Sequence, residues 1–385
     1  MMDGRSILKA RIQALSQDLF EVGRALEATD VNNELRQRVA VPFGDLIAER
    51  QGELNRLRKQ IESGSALGDA WSSFQITNQD CESLVKECLD FIQGALARSA
   101  GIDFGLCRIA DAMLMEIGHR SDISWTRFTI LAVGEFFHDI AEIIRLRFPD
   151  STIWNLPVAC HELGHFAEQN VSERYYGQTS YPIKQIMEQE RLNDPTSIPF
   201  LRELFADLFA TYALGPAYAC TCIMLRFDPT QAQVDGADHP SSAKRVYFIL
   251  KALDTMDKSE VTRPYRTTIE TLSELWRQSV IPQGTSLEES ATTQLNTWFD
   301  MFYFELAKKR SLKYSWGQAS ALIPMLKANS PSKNVLKQMA TKTTVSDVLN
   351  AAWICRLEEL DDQSEVYRIG ENAKRLCDEL IPKPH

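Results

Sequence analysis

Apolar residues recur at the period of an α-helix almost from one end of this chain to the other. Leu8, Ile12, Leu15, Leu19, Val22 and Leu26 follow one another at alternating spacings of four and three, which puts them on one helix face. A second helical pattern starts after the polar run "TDVNN" at 29–33, is kinked or split by Pro42, and continues through Leu46, Leu54, Leu57 and Ile61. The two are expected to form an antiparallel hairpin. A coiled coil over 5–62 is the sharper alternative, but the seam is short and interrupted, so packing on the rest of the protein is preferred. "SGSALG" at 63–68 reads as a loop, and "TNQDCESLVKECLDFIQGALARS" at 77–99 resumes the helical period behind polar capping residues.

The best strand candidate is "TRFTILAV" at 126–133, where β-branched and aromatic residues gather. "GEFFHDIAEIIRLRF" at 134–148 then looks helical until Pro149. Pro157 can open the next helix, and Val158 to Gln169 can form one buried helix. Beyond residue 242 come "SAKRVYFILKALDTM", "RTTIETLSELWRQSV", "SLEESATTQLNTWFDMFYFELAKKR", "VSDVLNAAWICRLEEL" and "EVYRIGENAKRLCDELI", each helical. The aromatic run "WFDMFYFEL" at 298–306 reads as a helix buried on most sides, with a substrate-binding wall as the alternative. The chain is thus expected to be mainly α with at most a small β-sheet near its centre. Three regions follow: helical residues 1–98, a core over 99–247, and helical residues 248–385.

A net charge of −10 on 385 residues argues against a nucleic-acid backbone or an anionic membrane as the main partner, because both call for a basic surface. No window approaches the roughly 18 uninterrupted apolar residues of a membrane span, and charges break every apolar run of the first twenty positions, so no secretory signal is expected. The expected location is the cytoplasm. The eight cysteines are scattered without CxxC pairing and read as reduced, mostly buried thiols. Cys81 and Cys88 share a helix face, where buried thiols are preferred to metal ligands; Cys220 and Cys222 are too close together, and too isolated, for a structural zinc.

The chain has only six histidines, and two of them stand four residues apart in "VACHELGHFAEQN" at 158–170. Positions i and i+4 share a helix face, so His161 and His165 can offer two imidazole nitrogens to one ion. Glu162 lies at the edge of the same site, free to act as a base. This is the HExxH arrangement of zinc peptidases. A catalytic zinc takes three protein ligands and keeps one open position. Glu203, in "PFLRELFADLFATYALG", is the candidate third ligand, and Asp207, one turn on, can accept the ring N–H of a ligating histidine and fix its tautomer. Glu168 and Asp238 are the fallback ligands. The competing reading is a pair of hydrogen-bonded histidines on a half-buried helix, with Glu203 an ordinary solvated carboxylate. His138 could pair with Glu142 at i+4 as a second metal pair, although a packed core histidine is preferred. Cys160 points about 100° around the helix from His161 and is expected in the core.

"HELGH", "ELFAD" and the later "DHPSSAKRV" together carry a resemblance. HExxH with a downstream ExxxD resembles the gluzincin branch of the zincin metallopeptidases. "ELFAD" is similar to the ExxAD segment of the CAAX prenyl endopeptidase and heat-shock membrane protease group, and His239, Pro240 and Arg245 match that group's HP-x4-R element. The resemblance covers about residues 155–247. Those relatives carry transmembrane helices, which this sequence does not offer, so membrane-embedded or prenylated substrates are not carried over. The resemblance implies a zincin-like catalytic core and one zinc ion per chain on His161, His165 and Glu203. It further implies hydrolysis of a protein or peptide substrate with Glu162 as general base, and His239 as a donor to the developing oxyanion. Tyr212 and Tyr218 are weaker donor candidates. Arg245 is expected to hold a carboxylate such as Asp207, or to bind substrate.

The leading expectation is an intracellular zinc metalloprotease. The alternative is a helical interaction or regulatory protein with a structural or degenerate metal site, whose N-terminal hairpin binds a partner. The two can combine if the helical flanks restrain the enzyme until an activating partner engages them.

Overall fold

The helical period is realised as fourteen α-helices among the described residues, with two small sheets. The structure, a computed structural model, describes residues 4–29, 40–123, 129–132, 137–138, 143–147, 152–175, 178–280, 287–329 and 343–381. It divides into two compact units, Met1–Cys107 with Arg127–Pro149, and Arg108–Thr126 with Asp150–His385.

In the first unit α1 (Gly4–Ala28), α2 (Val41–Glu62) and α3 (Leu67–Ser99) all pack on one another. The periodic residues of the sequence are the core: Leu8, Leu19, Leu54 and Phe91 are buried, and Phe43 meets Phe91 with ring centroids 5.8 Å apart. Pro42 does not kink α2. It sits in the first turn, where its missing N–H has no intrahelical partner to lose. Helix α3 starts ten positions before the polar residues expected to cap it, because Ala70 and Phe74 extend the apolar face backwards into the same core.

Strand β1 (Thr129–Ala132) lies on α3 and pairs in parallel with β3 (Ile143–Arg147), which pairs antiparallel with β2 (Phe137–His138). The helix expected over 134–148 is therefore corrected. "IIRLR" also satisfies the two-residue period of a strand, with Ile144 and Leu146 buried, and the available partner β1 decides between the two periods. Of the strand expected at 126–133, residues 129–132 are strand and the remainder lie outside the described residues.

The second unit contains nearly all of α4 (Leu106–Arg120), then α5 (Val158–Asn170), the hairpin β4 (Glu173–Tyr175) and β5 (Gln178–Ser180), and α6 (Pro182–Asn193). Next come α7 (Ile198–Leu214) and α8 (Pro216–Thr221), the latter continued by a π turn, Cys222–Arg226. They are followed by α9 (Ser242–Lys258), α10 (Arg266–Ser279), α11 (Glu289–Lys308), α12 (Ala319–Leu326), α13 (Val345–Glu358) and α14 (Gln363–Leu380). Helix α11 buries Trp298, Phe299, Phe302 and Leu306 but leaves Phe304 exposed, so its aromatic run is buried on one side only. No described helix is long and apolar enough to cross a membrane. All eight cysteines are buried, and none forms a disulfide.

The corner between α7 and α8 is built by two residues. Gly215 takes φ 65°, ψ −142°, a conformation that side-chain-bearing residues avoid. A Cβ on it would also lie 2.6 Å from the Tyr314 ring. Asn350, fully buried on α13, donates to the Leu214 carbonyl at 2.7 Å and accepts from the Ala217 N–H at 2.8 Å. It thereby caps the end of α7 and the start of α8 at once. Arg120 adds a bond to the Ala213 carbonyl at 2.9 Å.

Asn350→Leu keeps the volume but leaves a buried carbonyl and a buried N–H without partners, at about 1–3 kcal/mol each. The expected loss of stability is therefore about 2–6 kcal/mol, measurable as a lowered urea midpoint.

Candidate metal centre

Helix α7 is apolar nearly all round: Leu201, Leu204, Phe205, Leu208 and Phe209 are fully buried, as expected of a helix enclosed by others. α5, α8, α9 and α11 pack on it. Two buried carboxylates interrupt it, Glu203 at 9 % exposure and Asp207 at 0 %. A buried carboxylate is costly unless it is paired, so the surroundings of these two define the site.

Helix α5 supplies the first partners. Gly164 lets it come close to α7, since a Cβ there would lie 2.8 Å from the Ala206 Cα and 3.1 Å from its Cβ. The glycine of "HELGH" and the alanine of "ELFAD" are thus the contact point of the two helices. At this separation His161 Nε2 lies 3.3 Å from Glu203 Oε2, and His165 Nε2 lies 3.4 Å from Glu203 Oε1. The imidazole rings stand nearly perpendicular with centroids 4.8 Å apart. One ligand atom from each of His161, His165 and Glu203 falls within 4.8 Å of the other two, and this buried group could hold a metal ion.

Behind His161 stands a second layer. Asp207 Oδ1 is 3.0 Å from His161 Nδ1, which holds a proton on Nδ1 and leaves Nε2 as the nitrogen that faces the cluster. The Tyr218 hydroxyl donates to the same oxygen at 2.5 Å and lies 3.0 Å from Nδ1. Arg245 grips Asp207 with both arms, Nε to Oδ2 at 2.8 Å and Nη2 to Oδ1 at 2.7 Å, while its Nη1 lies 3.4 Å from Glu203 Oε2. The guanidinium covers the Phe227 ring at 5.0 Å.

Titration follows from these contacts. Burial would push the Asp207 carboxyl up, but Arg245 and His161 outweigh it and hold the group down to about 2. Glu203 is likewise held well below the carboxylate range against its own burial by His161, His165 and Arg245. Burial opposes charge on His161, yet hydrogen bonds to Asp207 and Glu203 raise it to about 10. Burial and the neighbouring Asp207 keep the Tyr218 hydroxyl protonated far above its ordinary value.

Glu162 is 8 % exposed beside His161 on α5. His239 comes to the rim, its Nε2 3.6 Å from Glu203 Oε1 with the side chain 61 % exposed. Of the two roles open to Arg245, the structure shows the carboxylate clamp. Tyr212 is turned away and packs edge-on against Tyr303 at 5.8 Å. Tyr218 sits on the Nδ1 side of His161, bonded to Asp207. Their position in sequence gave no hint of this, because Tyr218 reaches Asp207 only across the Gly215 corner. The fallback ligands are elsewhere: Glu168 is held by Arg202 at 2.9 Å and Gln169 at 2.9 Å, and Asp238 is exposed. His138 lies in β2 rather than a helix, which removes the i, i+4 premise for a pair with Glu142, itself outside the described residues. Cys160 is fully buried, and burial pushes its thiol up, as befits a core residue.

The donor set is two imidazole nitrogens and a carboxylate. Each histidine faces its own oxygen of the Glu203 carboxylate, so the carboxylate spans the two rings.

Two outcomes are expected. Gly164→Ala forces α5 and α7 apart, and zinc affinity measured by chelator competition should fall roughly tenfold or more, within the range seen when support of a ligand is disturbed. Hydrogen bonds to Asp207 and Glu203 raise His161, so protons compete with an ion for its Nε2. Metal affinity measured by chelator competition should therefore rise with pH, and a pH-independent affinity would count against His161 as a ligand.

No protein-family model, curated protein or solved structure matches this chain.

Proposed function

We propose that this chain is a zinc-dependent metallopeptidase of the gluzincin kind, acting on a protein or peptide substrate. The observation that supports this best is the buried group His161, His165 and Glu203, with Asp207 against Nδ1 of His161. Zinc, when bound there, supplies a Lewis acid and lowers the pKa of a water molecule.

The chain's own residues do the rest. Asp207 and Tyr218 fix the ring of His161, and Arg245 holds Asp207 and Glu203 at once, so the ligand atoms are set before any ion arrives. Glu162 takes a proton from the attacking water and delivers it to the leaving amine. His239, at the exposed rim, donates to the oxygen of the scissile carbonyl as charge develops on it. A merely structural site would be expected to close with a fourth protein ligand, whereas this group has three among the described residues.

The test is Glu162→Gln. The variant should bind zinc as the wild type does, by atomic absorption on the purified protein. Its kcat on a peptide that the wild type cleaves should be lower by about 10²–10⁴. Full activity in the zinc-loaded variant would remove Glu162 from the base role, and absence of any cleavage by the wild type would remove the peptidase reading.

A further inference from the structure

Beside the metal centre lies a cavity of about 180 Å³ between α7, α9 and α11. Its walls are Phe200 and Leu204 from α7, Pro240 just ahead of α9, and Leu295 and Trp298 from α11. Three lining residues stand one position from residues of the centre: Leu204 follows Glu203, Pro240 follows His239, and Lys244 precedes Arg245. Neighbouring Cα atoms are about 3.8 Å apart, so the cavity and the centre occupy adjacent faces of the same two segments.

Of the polar groups at its edge, Gln294 stands exposed on α11, and the others are partnered. Asp194 Oδ1 accepts from the Thr196 N–H at 3.0 Å and hydroxyl at 2.6 Å. The Ser197 hydroxyl donates to the Asp194 carbonyl at 2.8 Å, and Lys244 pairs with Asp235 at 2.7 Å. A charged guest would have to displace Asp194 or Lys244 from these bonds, while a ring against Phe200, Leu204, Leu295 and Trp298 displaces none of them. An engineered apolar cavity of about 150 Å³ takes up benzene, so the space fits a six-membered ring.

We propose that this cavity is the specificity pocket of the site and receives an aromatic side chain of the substrate next to the scissile bond. The inference rests on the peptidase reading. Trp298, Phe200 and Leu295 select the ring, and His239 beside Pro240 links the pocket to the reacting carbonyl.

Ala291 lines the cavity from the first turn of α11 and is only half-buried, so Ala291→Phe fills it without touching the centre. On the metal-free protein, ligand-detected NMR should show N-acetyl-phenylalaninamide binding in preference to N-acetyl-alaninamide, and Ala291→Phe should weaken the phenylalanine probe about tenfold or more. Trp298→Ala, which removes a wall instead of filling the space, should abolish the same preference. On the zinc-loaded protein, a peptide library should give a phenylalanine over alanine preference at one subsite, reduced by a similar factor in Ala291→Phe with zinc content unchanged. Equal binding of both probes, or a preference untouched by either variant, overturns the pocket. If the probe result holds but no peptide is cleaved, the pocket stands and the peptidase reading falls. Cleavage without any side-chain preference has the opposite meaning.

Discussion

Two carboxylates buried on one apolar helix set the terms for the second unit. Glu203 and Asp207 lie one turn apart on α7 among leucines and phenylalanines that are fully buried. Each negative charge there requires opposite charge or hydrogen-bond donors, and removing one partner of such a buried pair typically costs about 3–5 kcal/mol. Arg245, His161, His165 and Tyr218 meet that demand, and they come from three separate elements, α9, α5 and α8. Replacing such a cluster by apolar side chains of equal volume is often neutral or stabilising. Stability alone therefore gives no reason to gather these six charged or titratable groups, and such clusters are concentrated at functional sites.

The backbone carries as much of the site as the side chains do. His161 and His165 meet Glu203 because Gly164 and Ala206 let two helix backbones approach to a distance that a larger pair would forbid. Tyr218 reaches Asp207 because Gly215 turns the chain sharply after α7, and Asn350 closes the hydrogen bonds that this turn opens. Small residues at the helix contact and a positive φ at the corner are thus conditions of the electrostatics. The network can be held in place before a ligand binds because these backbone elements are themselves buried and fully bonded.

What could be seen in the sequence was what depends on short spacing. The i, i+4 pair His161 and His165, and the i, i+4 pair Glu203 and Asp207, are each local to one helix, and helical period alone puts each pair on one face. The apolar residues of α1 and α2 were legible for the same reason. Contacts that cross the fold were not. Nothing near Asn350 announces that it caps a corner more than a hundred residues away, and Tyr218 looked like a donor to substrate until its hydroxyl was found on Asp207. The segment 143–147 shows a different limit: its apolar residues fit a helical and a strand period equally, and only the presence of β1 as a parallel partner separates them. Loop sequence before α3 misled because Phe74, a core residue, precedes the polar cluster that resembled a cap.

Successive residues of a helix point about 100° apart, and this lets one pair of segments line both the candidate metal centre and the cavity. On α7, Glu203 turns to the histidines while Leu204 turns to the cavity; at the start of α9, Arg245 clamps the carboxylates while Lys244 closes the cavity edge. The apolar wall and the charged centre are therefore fixed by the same helix positions, and neither can move without the other. A ring seated against Trp298 would be held at a set distance from Glu203 by α7 itself. That rigid register is what an enzyme needs to turn the binding of a side chain into placement of the adjoining bond, since misplacement of about 1 Å can cost about 10²-fold in rate.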